Sequence, residues 1–406
     1  MSASTESLIK LRNATSECRS YANVSVPTNA PRKYKSEHSF NIRINRVDAI
    51  QGAEFASAYN FKCPSFGQCI GEMWLEFDLP ALADAQYREN PLLHVVERVD
   101  YRLGQRFYTF YPSEDIPILL SKCRNREMKD QLLKMFADPT GAASGNGGKY
   151  ILPLVTPFSV WQTDKICAPM RHGNRGGSLL DTSVFNGQDL VIEVTIAAAV
   201  DCTSSAGPTF TAASNLGNAT LRWEEVVAAP AVLQAIRASI PKTRVCNEYT
   251  RLDEQACDSS TKTTYKAASL ISRAGVSGFV FRTYAAADVN KCMVGDAELG
   301  SLVVNADGRD IFDTDGRSAQ QTDYQRILAG DFGDLGVGPK FAHWDFGNQH
   351  HNFEAGTTGS LLKNGTVNEL NLDITCAAGS DRIDIIAVHP RKFTLTSQGV
   401  KVSNCY

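Results

Sequence analysis

The sequence predicts an all-β protein with few helices, arranged as two tandem β-sandwiches. Three observations predict it. The chain has 406 residues, more than one ordinary core serves and enough for two sandwiches of about 150–200 residues each. Apolar residues recur at every second position in short runs that stop at Pro, Gly, Asn or Asp, which is the period of half-buried strands. Helical spacing is confined to a few segments.

Residues 1–38 read as an N-terminal arm: Leu8, Ile9 and Leu11 are its apolar cluster, and Arg32, Lys33 and Lys35 form a small basic knot. Residues 39–205 read as the first sandwich. Phe40, Ile42 and Ile44 alternate with Asn41, Arg43 and Asn45, so an apolar strand face is expected there. Met73, Leu75, Phe77 and Leu79 repeat the pattern up to Pro80, and Val95, Val99, Tyr101 and Leu103 begin a run that ends near Gly104. Phe107–Tyr111 is strand-like. Met128, Leu132, Met135 and Phe136 recur at helical spacing and predict an amphipathic helix over Asn125–Ala137. Leu190, Ile192, Val194 and Ile196 predict a strand with Glu193 and Thr195 outward. Ahead of it, the Gly-rich polar stretch Arg171–Asn186 reads as an exposed loop.

Asp201–Ala219, rich in Ser, Thr, Ala, Gly and Asn, reads as the linker, and residues 206–406 as the second sandwich. Leu221–Ile240 reads as a helical connection interrupted at Pro230. Val276–Tyr284, Leu299–Val304, Leu370–Cys376, Ile383–Val388 and Phe393–Leu395 are further strand candidates. Between two of them, Asn305-Ala-Asp-Gly-Arg-Asp-Ile-Phe312 is a polar turn. Gly takes φ > 0 freely and Asx side chains bond the nearby backbone. Arg309 and Asp310 should face outward, and Ile311 and Phe312 inward.

The order from that turn onward carries a resemblance. Asn305–Phe312 is followed by a long loop, then Gly356-Thr-Thr-Gly-Ser-Leu361, then Glu369–Cys376 and Arg382–Val388. In the first half, Tyr150-Ile-Leu-Pro-Leu-Val-Thr-Pro-Phe-Ser-Val-Trp161 and Cys167-Ala-Pro-Met170 precede the alternating strand. This succession resembles the double jelly-roll major capsid proteins of large eukaryotic DNA viruses, adenoviruses and internal-membrane phages. The resemblance implies two tandem jelly rolls, with three chains forming a homotrimer of pseudo-hexagonal outline in an icosahedral shell. It implies a structural, non-enzymatic role in the virion, with assembly in the host cell cytoplasm. The partners it implies are neighbouring capsomers, minor capsid or penton proteins and an internal lipid membrane facing the arm.

Other functions find less support. The 41 basic and 44 acidic residues give a formal net charge of -3, which argues against a nucleic-acid wrapper. Eleven cysteines, with no Cys-x-x-Cys pair, read as mostly buried thiols in a reducing compartment; the other reading is disulfide reinforcement in an oxidising medium. Met1–Lys10 has no apolar core of signal-peptide length, and Leu190–Val200 is too short to span a bilayer, so a soluble chain is expected. Gly141–Gly148 lacks the Lys-Ser/Thr of a P-loop. His343, His350, His351 and Glu354 lie close in sequence, but adjacent histidines on a strand point to opposite faces. Asp313-Thr-Asp-Gly316 matches a calcium loop only in part. No catalytic, cofactor-binding or metal-binding residue is therefore assigned, and no cofactor. A carbohydrate-binding sandwich is the alternative, on the strength of Trp74, Trp161, Trp223 and Trp344.

Overall fold

A computed structural model describes residues 40–49, 53–63, 69–88, 90–121, 147–159, 179–185, 187–203, 208–210, 215–240, 242–252, 254–267, 269, 276–288, 299–313, 341–345, 367–376 and 378–404. The arm, the helix expected over Asn125–Ala137 and the loop carrying His350, His351 and Glu354 lie outside them.

In the first half the strands are β1 (Phe40–Asp48), β2 (Ala53–Glu54), β3 (Ala58–Cys63), β4 (Cys69–Leu79), β5 (Val96–Leu103), β6 (Gln105–Phe110), β7 (Gly148–Leu154), β8 (Leu180–Asp181), β9 (Leu190–Ile196) and β10 (Asn215–Ala228). In the second they are β11 (Thr243–Arg251), β12 (Gln255–Ala256), β13 (Thr263–Lys266), β14 (Gly278–Tyr284), β15 (Leu299–Ala306), β16 (Arg309–Asp313), β17 (Ala342–Asp345), β18 (Leu370–Cys376), β19 (Arg382–Thr396) and β20 (Gly399–Asn404). The helices are short: α1 (Pro91–Val95), α2 (Pro112–Ser121), α3 (Ala199–Cys202) and α4 (Pro230–Ser239).

Among the described residues the strands pair into four antiparallel sheets: β1-β10-β4-β7 and β3-β9-β5-β6, then β11-β19-β14-β17 and β13-β18-β15-β16. The short strands β2, β8, β12 and β20 add to the sides of β10, β4 and β19. Setting these aside and ranking the main strands of each half by chain order gives one rule for both halves. The first, eighth, third and sixth strands make one sheet, and the second, seventh, fourth and fifth make the other. That is the strand order of an eight-stranded jelly roll, and it occurs twice in tandem.

The inner faces follow from the alternation. Tyr59 and Phe61 of β3, Leu75 and Phe77 of β4, and Ile192 and Val194 of β9 fill the core of the first roll. Phe279 and Phe281 of β14, Leu370 and Leu372 of β18, and Ile383 and Ile385 of β19 fill that of the second. β9 buries its residues in strict alternation, with Glu193 and Thr195 half-exposed, as expected.

Several expectations are corrected. Leu221–Ala228 is strand, not helix: it belongs to β10, which pairs with β1 along Phe40–Asp48 and with β4 on its other side. Helix begins only at Pro230, which takes the first helical position, where its missing N–H has no partner to lose. β10 pairs with β1, β2 and β4. The Ser/Thr/Ala composition of the preceding residues reads as a linker, but Asn215 already pairs with Glu54. Most of the described part of the expected exposed loop is buried: Leu179 and Leu180 are covered and Phe185 is 1% exposed, while Ser183 is exposed. β8 pairs there with the start of β4.

Ile44 faces out, 57% exposed. Val47 pairs with Leu221 and Asn45 with Trp223 on the core side, so Ile44 is on the other face; register by a single residue decides this. Ile311 is likewise exposed, because it alternates with Phe312, which packs on Trp344 at 5.3 Å.

Ile383–Val388 and Phe393–Leu395 are one strand, running through Pro390. β11 pairs with β19 from Thr394 back to Ile386. On the other side β14 pairs as far as Val388, and β20 takes over from Arg391. The Val388 carbonyl accepts from Ser277 N–H on the β14 side, so by alternation Pro390 turns its imide nitrogen to that side too, into the gap between β14 and β20. The missing N–H removes no ladder bond.

The Asn305–Phe312 turn forms as the sequence predicts. Asp307 (φ 50) and Gly308 (φ 77) both take left-handed backbone between β15 and β16, the pattern of a tight hairpin turn. Asn305 accepts from Gly308 N–H at 3.0 Å and donates to Asp310 at 2.8 Å. The Asp307 carboxylate accepts from the N–H groups of Asn368 and Glu369, which fastens the hairpin to the entry of β18.

Candidate functional site

Among the described residues no three His, Cys, Asp or Glu side chains come together in a way that would hold a metal ion. His343 lies in β17 opposite Val280; Trp161, His350, His351, Glu354 and Asp315 lie outside the described residues. Trp223 and Trp344 are core residues, 6% and 8% exposed. Trp74 is half-buried on the outer face of the first sheet and donates to Glu76 at 3.0 Å. Of the cysteines, Cys257 and Cys376 form a disulfide, while Cys63, Cys69 and Cys202 are buried free thiols and Cys246 is buried.

The distinctive geometry is the seam where the two rolls meet. β14 buries every residue, on both faces. Its inner face serves the second roll's own core. On the outer faces of β14, β11 and β19, Val280, Tyr249, Ile386 and Val388 form one buried apolar cluster with Phe341 and with Ile118 of α2 in the first roll. At the other end β19 reaches into the first roll, whose core includes Phe393 and Leu395.

Polar contacts cross the same seam. Asp384 is 2% exposed. It accepts from Arg251 at 2.6 Å and from the Tyr284 hydroxyl at 3.2 Å, and it faces the Arg282 guanidinium at 3.7 Å. The Arg282 guanidinium lies 4.5 Å over the Tyr284 ring. Arg251 also reaches Glu114 of α2, 3.4 Å away on the first roll. Burial works against the Arg251 charge, but Asp384 and Glu114 outweigh it and hold the guanidinium above its ordinary range. Buried charges persist only when paired and hydrogen-bonded in this way.

Beside this network a cleft of about 560 Å³ runs between β6, α2 and β11, lined by Arg106, Tyr111, Glu114, Asp115, Glu248 and Arg251 among others. Asp115 is 4% exposed and accepts from the Tyr111 N–H at 3.0 Å. Burial raises its carboxyl well above the usual range; the Tyr111 bond opposes this, and the Glu114 and Glu248 carboxylates add to it. Nearby, Asp100 is held by Arg98 at 3.1 Å, Arg106 at 3.6 Å and the Thr109 hydroxyl at 2.6 Å. The arrangement joins two bodies; it offers no nucleophile set beside a base. None of these seam residues was singled out from the sequence. The available signal was a charge inside a near-continuous apolar run, Asp384 within Ile383–Val388 and Arg282 within Gly278–Tyr284.

No family model matches the chain, and no curated protein matches it. Solved structures do. A chain of the PBCV-1 virus capsid aligns with a TM-score of 0.63 at 11% identity, covering 90% of this chain and 97% of that one. The Faustovirus major capsid protein aligns with a TM-score of 0.56 at 11% identity, covering 97% and 98%. This chain has the double jelly-roll fold of viral major capsid proteins. A chain of the Sputnik virophage also aligns, with a TM-score of 0.54 at 11% identity over 90% and 88% of the two chains. The likeness covers 90% or more of this chain in each case, so it takes in both rolls and not a single sandwich.

Proposed function

We propose that this double jelly-roll chain is a structural major capsid protein. Three copies form a pseudo-hexagonal homotrimeric capsomer, and capsomers tile the icosahedral shell of a virion assembled in the host cell cytoplasm. The observation that carries this reading is the jelly-roll strand order repeated twice in one chain, matched over nearly the full length of capsid chains. Two rolls clamped across an apolar and ionic seam act as one rigid block, and three such blocks present six rolls to a hexagonal lattice. A shell subunit needs large self-complementary flanks and no reacting group, so the chain carries no enzymatic activity in this reading. The rolls divide near α4, after β10 has closed the first one.

The basic knot of Arg32, Lys33 and Lys35 in the arm supplies a contact to an anionic interior surface, a lipid membrane or a minor capsid or penton protein. The carbohydrate-binding alternative loses two of its stacking faces, since Trp223 and Trp344 are buried. Light scattering and negative-stain microscopy of the purified chain test the proposal. A discrete trimer of hexagonal outline without affinity on a glycan array is expected; a stable monomer that binds sugar would overturn it. Deleting residues 1–36 should leave the trimer intact and impair shell assembly, and normal shells from that variant would remove the arm from the proposal.

A further inference from the structure

Cys257 follows β12, which pairs with the start of β19 in one sheet of the second roll. Cys376 ends β18 in the other sheet. Their Cα atoms are 5.7 Å apart and the two are 119 residues apart in sequence. Backbone bonds bracket the pair independently of the sulfurs: Cys257 N–H donates to Asp381 O at 3.0 Å, and Cys376 N–H donates to Asp258 O at 3.0 Å. The pair is therefore positioned by the folded sheets and does not need the covalent bond to meet. The intervening chain contains β13 to β18, so the bond joins the two sheets of this roll and closes a long loop of the unfolded chain.

The remaining described cysteines contrast with it. Cys63, Cys69 and Cys202 are buried and free. Burial pushes the Cys69 and Cys202 thiols up to about 12, which leaves them protonated and unreactive.

We propose that Cys257 and Cys376 are a redox-controlled staple. The second roll folds with both as thiols and is locked once it meets a small-molecule disulfide in an oxidising medium. Cys257, 7% exposed against 1% for Cys376, attacks first as its thiolate. It forms a mixed disulfide with one half of the reagent and expels the other half as a thiolate. The Cys376 thiolate then attacks Cys257 Sγ, forming the Sγ–Sγ bond and expelling the second half. The protein loses two electrons, the reagent becomes two thiols, and the two cysteine protons end on them. The inference concerns the isolated chain and holds whether or not the capsid reading does.

The test uses the full-length chain, purified under reductant and then moved into oxidised glutathione. Peptide mapping of the folded protein should recover Cys257 joined to Cys376, with Cys63, Cys69 and Cys202 alkylated only after denaturation. Adding reductant should lower the melting temperature by about 10 °C. The Cys257→Ser/Cys376→Ser variant should melt like the reduced protein and ignore reductant. Recovery of Cys257 and Cys376 as separate alkylated thiols from the oxidised protein would overturn the proposal. So would a reductant response that survives in the variant. The mapping is done on the unaltered chain, so it decides the matter even where the variant fails to fold.

Discussion

Tyr108 on β6 of the first roll meets Phe393 on β19 of the second edge to face, with ring centroids 5.9 Å apart and planes at 82°. Phe393 is 1% exposed and counts among the core residues of the first roll, although the second roll's sheet carries it. Truncating it leaves a cavity shared by both bodies. Phe393→Ala should cost about 3–5 kcal/mol, read as a shift in the urea midpoint. Hydrogen exchange should quicken in β5 and β9 as well as in β11. Exchange confined to the second roll would show that the two cores are separable.

The Asp384 network predicts an asymmetry between its two ends. Asp384→Asn leaves the Arg282 guanidinium, in a residue 8% exposed, without its carboxylate, which should cost about 3 kcal/mol or more. Glu114→Gln removes a contact whose partners' side chains are about 30% exposed, so it should cost under about 1 kcal/mol. Denaturation of the two variants side by side checks the order; equal costs would mean that Asp384 anchors the seam no more than Glu114 does.

Asp115 gives the seam a pH dependence. Its folded-state carboxyl is raised above the ordinary 3.8, so the native protein keeps a proton that the unfolded chain has lost. The stabilisation is complete below that ordinary value and fades as pH rises through the folded value. The groups facing it include Glu114, Glu248 and the buried hydroxyls of Tyr101 and Tyr108. Asp115→Asn, which keeps an acceptor for the Tyr111 N–H, should therefore gain on the unaltered protein as pH rises above 4, until the folded-state value is passed. A constant difference in urea midpoint over that range would contradict it.

At the β15–β16 turn, Gly308→Ala meets open space but a backbone at φ 77. Left-handed backbone alone should cost about 1 kcal/mol. Asp307→Ala should cost more, since it also removes the acceptor of two N–H groups leading into β18. Thermal melts rank the two, and the reverse order would show that the carboxylate does not tether the hairpin.

Much of this was legible in residue order. β4, β9 and β18 show period-two alternation because each has one face in a core and one toward polar surroundings, and the sequence states both faces. The tight turn was legible because Asp307 and Gly308 carry its conformation themselves. What escaped was set by remote partners. Leu221–Ala228 mixes Arg222, Glu224 and Glu225 with apolar residues and reads equally well as helix; only pairing with β1 and β4 makes it a strand. Ile44 faces out because Val47 and Asn45 fix the register. The seam residues were hidden for the same reason: an Asp in an apolar run becomes a clamp only when Arg251, Arg282 and the helix carrying Glu114 arrive from elsewhere in the chain.

That Phe393 and Leu395 sit inside the first roll bears on how the polypeptide is made. Every other strand of that roll leaves the ribosome long before these two side chains do. The nascent first roll thus waits with a gap in its interior, and a prematurely terminated product lacks the pieces that fill it. The interior of the first roll is complete only once the end of the chain has been made.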